Sequence, residues 1–263
     1  MTPVLTIIPT YNEIENLGPI VDRVLAVGGT DVLVVDDASP DGTGELADRL
    51  ALRHEAVHVL HRSGKDGLGR AYLDGFAWGR AHGYAYLVEM DADGSHQPEA
   101  LPALLAETPT ADVVLGSRWI PGGRVRNWPL HRRLLSRGGN LYARLALGMD
   151  VRDATGGYRV FRADALDAIG VDDVASQGYC FQLDLLWRAL QRGLRVSEVP
   201  ITFVERERGV SKMSGAIVRE SLANVTRWAV RRRLTGLRTM LTTGRRLPSV
   251  RAHTRRVALP SAS

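Results

Sequence analysis

The chain alternates between two kinds of segment, and that alternation limits the fold more than any single residue does. "VLTIIP" (4–9), "DVLVVDD" (31–37), "AVHVL" (56–60), "YAYLVEM" (84–90) and "ADVVLGS" (111–117) are short apolar runs, each ending in polar residues or followed at once by one. Such continuous runs suit strands covered on both faces, as in a parallel sheet. Between the first two runs, Ile14, Leu17, Ile20, Val21, Val24 and Leu25 recur at helical spacing, and residues 41–53, 69–82 and 97–107 read as further helices. Strands alternating with helices predict a doubly wound α/β sheet. Ligands of such sheets bind beyond the carboxyl ends of the strands. Thr10, Tyr11, Asn12, Glu13, Asp36, Asp37, Ser39, Asp91 and Asp93 all fall at those ends.

Two common nucleotide sites do not fit. No G-x-G-x-x-G follows the first strand, where "PTYNE" stands instead, and "GKDGLG" (64–69) is not a complete P-loop. The informative stretch is "MDADGSHQPE" (90–99), which places Asp91 and Asp93 one residue apart after an apolar run. Adjacent carboxylates repel unless a positive group lies between them. Hard divalent cations such as Mg²⁺ or Mn²⁺ take oxygen ligands and are often shared with a diphosphate. The competing reading is that the two acids cap a helix or brace a loop. Their place at a strand end, opposite "PTYNE" and "VVDDASPDGT", favours the metal.

Cys180 is the only cysteine, so no internal disulfide forms, which fits a reducing compartment. The N-terminus lacks the basic and long apolar regions of a secretory signal, and no apolar run is long enough to span a bilayer. The expected location is therefore cytoplasmic. The formal net charge is +5, and from Arg219 onward Glu220 is the only acid. A basic end of this kind suits nucleic acid, an anionic membrane surface or a solubilising tail. No nucleic-acid motif appears, and the acidic strand ends would repel phosphate unless metal is bound, so nucleic acid is the disfavoured partner.

"TIIPTYNEIENL", "VLVVDDASPDGT", "RSGKDGLGRAY", "EMDADGSHQPE" and "VVLGSRW" occur in the order and spacing of family 2 glycosyltransferases with the GT-A fold. "NWPLHRRLLSRGGN", "DATGGYRVFR", "QGYCFQLDLLWRA" and "VPITFVERERGVSKMS" narrow this. The chain resembles the polyprenol-phosphate mannosyltransferases, the dolichol-phosphate-mannose synthase group, over roughly residues 4–215. The resemblance implies a GT-A catalytic domain over 1–214 with a mostly parallel central sheet. Residues 1–118 would form its nucleotide-binding half and 119–214 its acceptor-binding half. An amphipathic interfacial region (215–244) and a flexible basic tail (245–263) would follow.

It also implies roles. Pro9, Tyr11 and Glu13 would cradle the nucleoside, with Asp37 and Val35 completing the pocket; for Val35, sheet core is an equally good reading. Ala92 would offer backbone close to the ligand. Asp93 is the leading metal ligand, Asp91 touches metal, ribose or both, and Ser95 stands where relatives often carry glutamine, binding directly or through water. Arg118 would fork onto a phosphate. Arg206 and Lys212, then Arg132 and Ser136, would hold the phosphates. Asp36 would brace a loop, Ser39 and Asp41 would cap the next helix, and His96 would pack or hydrogen-bond locally. Asp184 would orient sugar or serve structure, and "QGY" (177–179) would shape the sugar pocket.

The implied reaction moves mannose from GDP-mannose to a polyprenyl monophosphate with inversion, with UDP-glucose as the alternative donor. A phosphate monoester already carries about −1.5 to −2 charge near neutral pH, so no catalytic base is needed. A lipid acceptor draws attention to residues 128–147, where Leu130, Leu134, Leu141 and Leu145 share a helix face bordered by Arg132, Arg133, Arg137 and Arg144. Residues 215–233 repeat the pattern with Val218, Leu222, Val225 and Ala229 beside Arg219, Arg227, Trp228 and Arg231 to Arg233. Ordinary packing on the core is the plain reading of either helix alone. Together with a lipid substrate they predict peripheral contact with the cytoplasmic face of an anionic membrane. There is also room for a separate membrane-protein partner that nothing in the sequence identifies.

Overall fold

The computed structural model describes residues 3–171, 174, 179–205, 215–243 and 254–256. In chain order the first half lays down β1 (Val4–Thr10), α1 (Ile14–Val27), β2 (Asp31–Asp36), α2 (Thr43–Arg53), β3 (Val57–His61), α3 (Leu68–Ala81) and β4 (Tyr86–Glu89). A 3-10 turn (Pro98–Ala100), α4 (Leu101–Leu105) and β5 (Val113–Ser117) follow. The second half adds β6 (Arg124–Arg126), α5 (Leu130–Leu147), β7 (Arg159–Arg162), α6 (Ala163–Ile169), α7 (Tyr179–Gln191), β8 (Val196–Pro200), β9 (Thr202–Val204), α8 (Gly215–Thr243) and β10 (Thr254–Arg256).

Eight strands form one sheet in the order β10-β8-β5-β7-β4-β1-β2-β3. All neighbours are parallel except β7, which runs antiparallel between β4 and β5. Strands of the expected second half thus complete the sheet begun by the first. β6 and β9 form a small parallel pair beside it. β10 lies within the stretch expected to be a flexible tail, yet it pairs with β8. A short edge strand there satisfies backbone groups that an open edge would leave unpaired.

The period-2 geometry of a strand explains the continuous apolar runs. Leu5 and Ile7 of β1, with Leu33 and Val35 of β2, enter one core cluster. Val4 and Ile8, with Val32 and Val34, enter the other. Residues of α1, α2 and α4 close the second core, and residues of α3 and α7 close the first. Helix α3 lies unusually close to the sheet because two of its residues are glycines. A Cβ at Gly75 would sit 2.6 Å from Ile7 Cγ2, and one at Gly79 would sit 2.3 Å from Leu87 Cδ2. That close approach brings Tyr72, one turn earlier, under the end of β4.

α5 and α8 pack against each other, with Tyr142 and Thr226 hydroxyls 2.6 Å apart. Val225 and Ala229 of α8 are buried. On α5 the buried residues are Asn140, Ala143 and Leu147, while Leu130, Leu134, Leu141 and Leu145 are 52–70% exposed. The leucine stripe therefore does not face the core.

Candidate active site

The loops after β1 and β2 meet at the sheet edge in a strained, heavily bonded arrangement. Asn12 and Ala38 have φ of 57° and 54°. For alanine this left-handed conformation is unfavourable and persists only when neighbours hold it. Asp36 does so: its carboxylate accepts bonds from Thr10 Oγ1 (2.9 Å), the Ser39 amide (3.0 Å) and Ser39 Oγ (2.6 Å). Ser39 Oγ in turn accepts the Asn12 amide at 3.1 Å. Asp41 accepts the Thr43 amide and hydroxyl at the start of α2 and also reaches the Ile14 amide of α1, while the N-cap position itself is Gly42. Burial pushes the Asp41 carboxyl up, but these bonds outweigh it and hold it below the usual range.

Around these loops, Lys65 Nζ lies 3.8 Å from the centroid of the Tyr11 ring, and Glu13 accepts a bond from Asn16 Nδ2 at 2.8 Å. Asp37 pairs with Arg62, which also bonds Asp74 (2.7 Å) and Asp66 (3.3 Å). Burial raises the Asp37 carboxyl despite that guanidinium. Pro9 sits opposite Val35 in the β1–β2 ladder. Val35 is fully buried in the core. The pocket role expected of its side chain is corrected: alternation points it into the sheet core, and the core reading holds.

The turn after β4 carries the paired acids, and Asp93 lines a cleft. Tyr72 Oη donates to Asp91 Oδ1 at 3.2 Å, and the Asp91 amide donates to His96 Nδ1 at 3.0 Å. An accepting Nδ1 carries no proton, and burial lowers the His96 pKa further, so the ring is neutral with its proton on Nε2. His96 stacks on Tyr158, with ring centroids 5.2 Å apart, and meets Phe203 edge-on at 5.5 Å. It packs and bonds locally, as its position after the turn suggested. Asp93 Oδ1 accepts the Ser95 amide at 3.0 Å. Asp91 and Asp93 are both half-buried, and Ala92 between them is buried. Ala92, Asp93, Asn16, Pro19, Gln97 and Glu205 line a cleft of about 300 Å³ between α1, this turn and the end of β9.

Among the described residues, no group of three or more His, Cys, Asp or Glu converges to hold a metal. A cation here would rely on the two aspartates and take its other ligands from hydroxyl, water or substrate oxygen. One observation fits that donor set. Ser95 Oγ is buried and has no hydrogen-bond partner among the described residues, a condition that costs about 1–3 kcal/mol for a buried polar group.

Arg118 departs from expectation. Its Nε and Nη2 form a fork onto Asp153 at 2.7 Å each, and its amide bonds the same carboxylate at 2.8 Å. Asp153 is fully buried, and Arg118 holds its carboxyl below the ordinary range although burial pushes it up. The fork assigned to phosphate is thus engaged by protein, because "DATGG" returns an acid to the end of β5. Asn140 of α5 ties the same loop to the helix by accepting the Ala154 amide at 2.7 Å and donating to Thr155 Oγ1 at 3.1 Å. Arg159 stitches the loop from within, bonding the carbonyls of Ala154, Gly156 and Gln182 at 2.6–2.8 Å. Its neighbour across the ladder is Glu89, pushed by burial up to about 8.

On α5, Arg132 pairs with Glu205 and lies over Trp128, 4.4 Å from the ring centroid. Ser136 is one turn further along, and its carbonyl accepts Asn140 Nδ2. Arg132, Ser136 and Asn140 thus share one helix face, at i, i+4 and i+8. Asp184 bonds Arg188 on its own helix at 2.9 Å, in keeping with a structural role. Arg206, Lys212 and most of "QGY" lie outside the described residues. Sequence reasoning missed Arg62, Tyr72, Asp153 and Glu205. All four lie within the quoted motifs, Arg62 and Asp153 at their openings and Tyr72 at the close of one, and that placement was the available signal.

Comparison with known proteins shows the family and agrees with the fold. The family Glycosyl transferase family 2 matches residues 6–170. An undecaprenyl-phosphate mannosyltransferase of Micrococcus luteus is 59% identical over 239 residues, covering 90% of this chain and 98% of that protein. A polyprenol monophosphomannose synthase of Mycolicibacterium smegmatis is 57% identical over 233 residues, 88% of each chain. Among solved structures, a mannosyltransferase of Pyrobaculum calidifontis in complex with GDP-Man and Mn²⁺ superposes with a TM-score of 0.54 at 17% identity. It covers 92% of this chain and 76% of that one, a likeness of fold.

Proposed function

The chain belongs to glycosyl transferase family 2, and from that premise we propose that it transfers mannose from GDP-mannose to a polyprenyl monophosphate. The observation that carries this reading is the 57–59% identity, over about nine-tenths of the chain, to two proteins named for mannose transfer to polyprenyl phosphates. The product would be a lipid-linked mannose with inverted configuration.

The site residues suit that chemistry. The nucleoside would lie at the loops after β1 and β2, beside Pro9, Tyr11, Glu13 and Asp37. Asp91 and Asp93, with Ser95 nearby and Ala92 giving close backbone approach, would hold Mg²⁺ or Mn²⁺. When bound, such a cation supplies positive charge to the departing diphosphate. Tyr72 and His96 hold Asp91 in place through its side chain and its amide. The acceptor phosphate would approach from α5, where Arg132 and Ser136 share a face; Arg206 and Lys212 belong to this proposal by position in sequence. Its oxygen would bond to the anomeric carbon as the bond to GDP breaks, and because that oxygen is already anionic no side chain must take a proton. Arg118 would act by fixing the loop at 153–157 rather than by touching phosphate. Positioning and charge stabilisation would carry most of the rate.

No helix among the described residues is long and apolar enough to cross a membrane. The exposed leucines of α5, bordered by Arg133, Arg137 and Arg144, support peripheral contact with an anionic membrane on its cytoplasmic side.

The test is competition between GDP-mannose and UDP-glucose, with a C35–C55 polyprenyl phosphate as acceptor and the lipid-linked sugar as readout. Mannosyl lipid formed in large excess, abolished by a chelator, is expected. Dominant glucose transfer would overturn the donor while leaving the family standing.

A further inference from the structure

We propose that Glu205 is a positioning residue for the acceptor: it holds Arg132 at the rim of the Asp93 cleft, oriented for the acceptor's phosphate. This rests on the lipid-phosphate reading above and adds to it a residue that the reading does not use.

The start of α5 is unusual. α5 has no side-chain cap and no acidic residue in its first turn, where Arg132 and Arg133 stand instead. The amides of a first helical turn already carry partial positive charge, so a cation there is disfavoured unless an anion sits nearby. Glu205 supplies that anion from another element. Its backbone is anchored, because its amide donates to the Arg126 carbonyl at 3.1 Å, continuing the β6–β9 pair. Its carboxylate takes Nη1 of Arg132. On the other side, the Trp128 ring fixes the guanidinium plane, and Trp128 is itself wedged edge-on against Phe203 with centroids 5.3 Å apart.

Glu205 also lines the cleft at Asp93. One carboxylate therefore ties the arginine of the acceptor helix to the wall of the cleft where the donor's diphosphate would lie. Arg132 Nε and Trp128 Nε1 are buried and have no hydrogen-bond partner among the described residues. These two buried donors lie beside a helix start with no acid of its own, so Glu205 is the anion that faces the guanidinium. A flexible arginine would lose orientation between turnovers; a clamped one does not.

Two rival accounts give different results. If Glu205 only offsets the helix charge, its removal lowers stability and leaves acceptor kinetics alone. If it competes with phosphate for Arg132, its removal improves acceptor binding. The full-length protein would be assayed in detergent micelles with a C55 polyprenyl phosphate, and thermal melts would confirm folding of each variant. For Glu205→Ala, the acceptor KM is expected to rise about five- to tenfold, with the donor KM within about twofold. Glu205→Gln keeps an oxygen acceptor and should recover part of the loss. In an Arg132→Ala background, Glu205→Ala should add nothing further.

An acceptor KM that is unchanged or lower in Glu205→Ala, or losses that multiply in the double variant, would overturn the proposal. Should the wild type prefer UDP-glucose, the donor reading fails, yet the Glu205 effect on acceptor KM can still be measured with that donor.

Discussion

β4 and β5 both end in charge, and they use it in opposite ways. Beyond β4, Asp91 and Asp93 remain half-buried, Asp91 steadied by Tyr72 and Asp93, which lines the cleft, by the Ser95 amide. Beyond β5, Arg118 turns inward and forks onto the fully buried Asp153. The cause is what the chain brings next. After β4 comes a tight turn with Gly94 at φ 73° and a neutral histidine whose Nδ1 takes the Asp91 amide. After β5 the chain returns an aspartate from the loop preceding β7. The two strand ends thus differ in depth: Arg118 is sealed into the loop before β7, whereas the acids after β4 keep part of their surface in contact with solvent.

The buried end should show the largest effect. Asp153→Ala leaves the Arg118 guanidinium without its fork, and breaking one side of a buried pair costs about 3–5 kcal/mol. A large fall in melting temperature is expected, with loss of activity following from loss of fold. The pH dependence has a definite sign. The Asp153 carboxyl is held below its ordinary 3.8, so its stabilisation is complete above that pH and is lost as pH falls through the lower folded value. A folded Asp153→Asn variant should decline less steeply in that acid range. Unchanged melting behaviour in both variants would mean the pair is not structural.

At the presented end the effects should reverse. Asp93→Ala should melt like the wild type yet lose about 10²–10³ of kcat/KM, on the order of 2.7–4 kcal/mol, if it holds a cation on the diphosphate. Full turnover of the folded variant, or of the wild type in excess chelator, would refute that role. Tyr72→Phe is the finer probe. It deletes one hydrogen bond to Asp91, whose side chain is about one-third exposed, so about 1 kcal/mol, or roughly fivefold in kcat/KM, is expected with little change in melting. Equal kinetics would show that Asp91 needs no support from α3.

The sequence made the sheet legible because each apolar run feeds two cores alternately, a pattern that leaves few other solutions. The placement of the acids at its edge followed from strand ends alone. Availability did not. Val35 and Arg118 both stand where ligand-contacting residues stand, but one obeys strand alternation into the core and the other finds a partner 35 residues later. Tyr72 and Glu205 acquire their roles only through tertiary proximity: two glycines let α3 approach the sheet, and the β6–β9 pair carries Glu205 to α5. No local pattern encodes either contact.

The same contrast between presented and consumed groups extends to leucine and gives the smallest effect. α8 commits Val225 and Ala229 to the core, whereas α5 keeps Leu134 61% and Leu141 52% exposed. A face of leucines bordered by arginines loses apolar contact with water only if something covers it, and an anionic bilayer offers both the apolar boundary and the opposite charge. Full burial of a leucine is worth about 1.5–3 kcal/mol, and shallow insertion of one side chain recovers a fraction of that. Leu134→Ser should therefore weaken partition onto phosphatidylglycerol-containing vesicles by about two- to fivefold. Turnover of a short-chain, micelle-soluble acceptor should be nearly unchanged. Val225→Ala, by contrast, should lower the melting temperature and leave partition alone, since its side chain never reaches the surface. If Leu134→Ser binds vesicles as the wild type does, the exposed stripe is not the surface that meets the membrane.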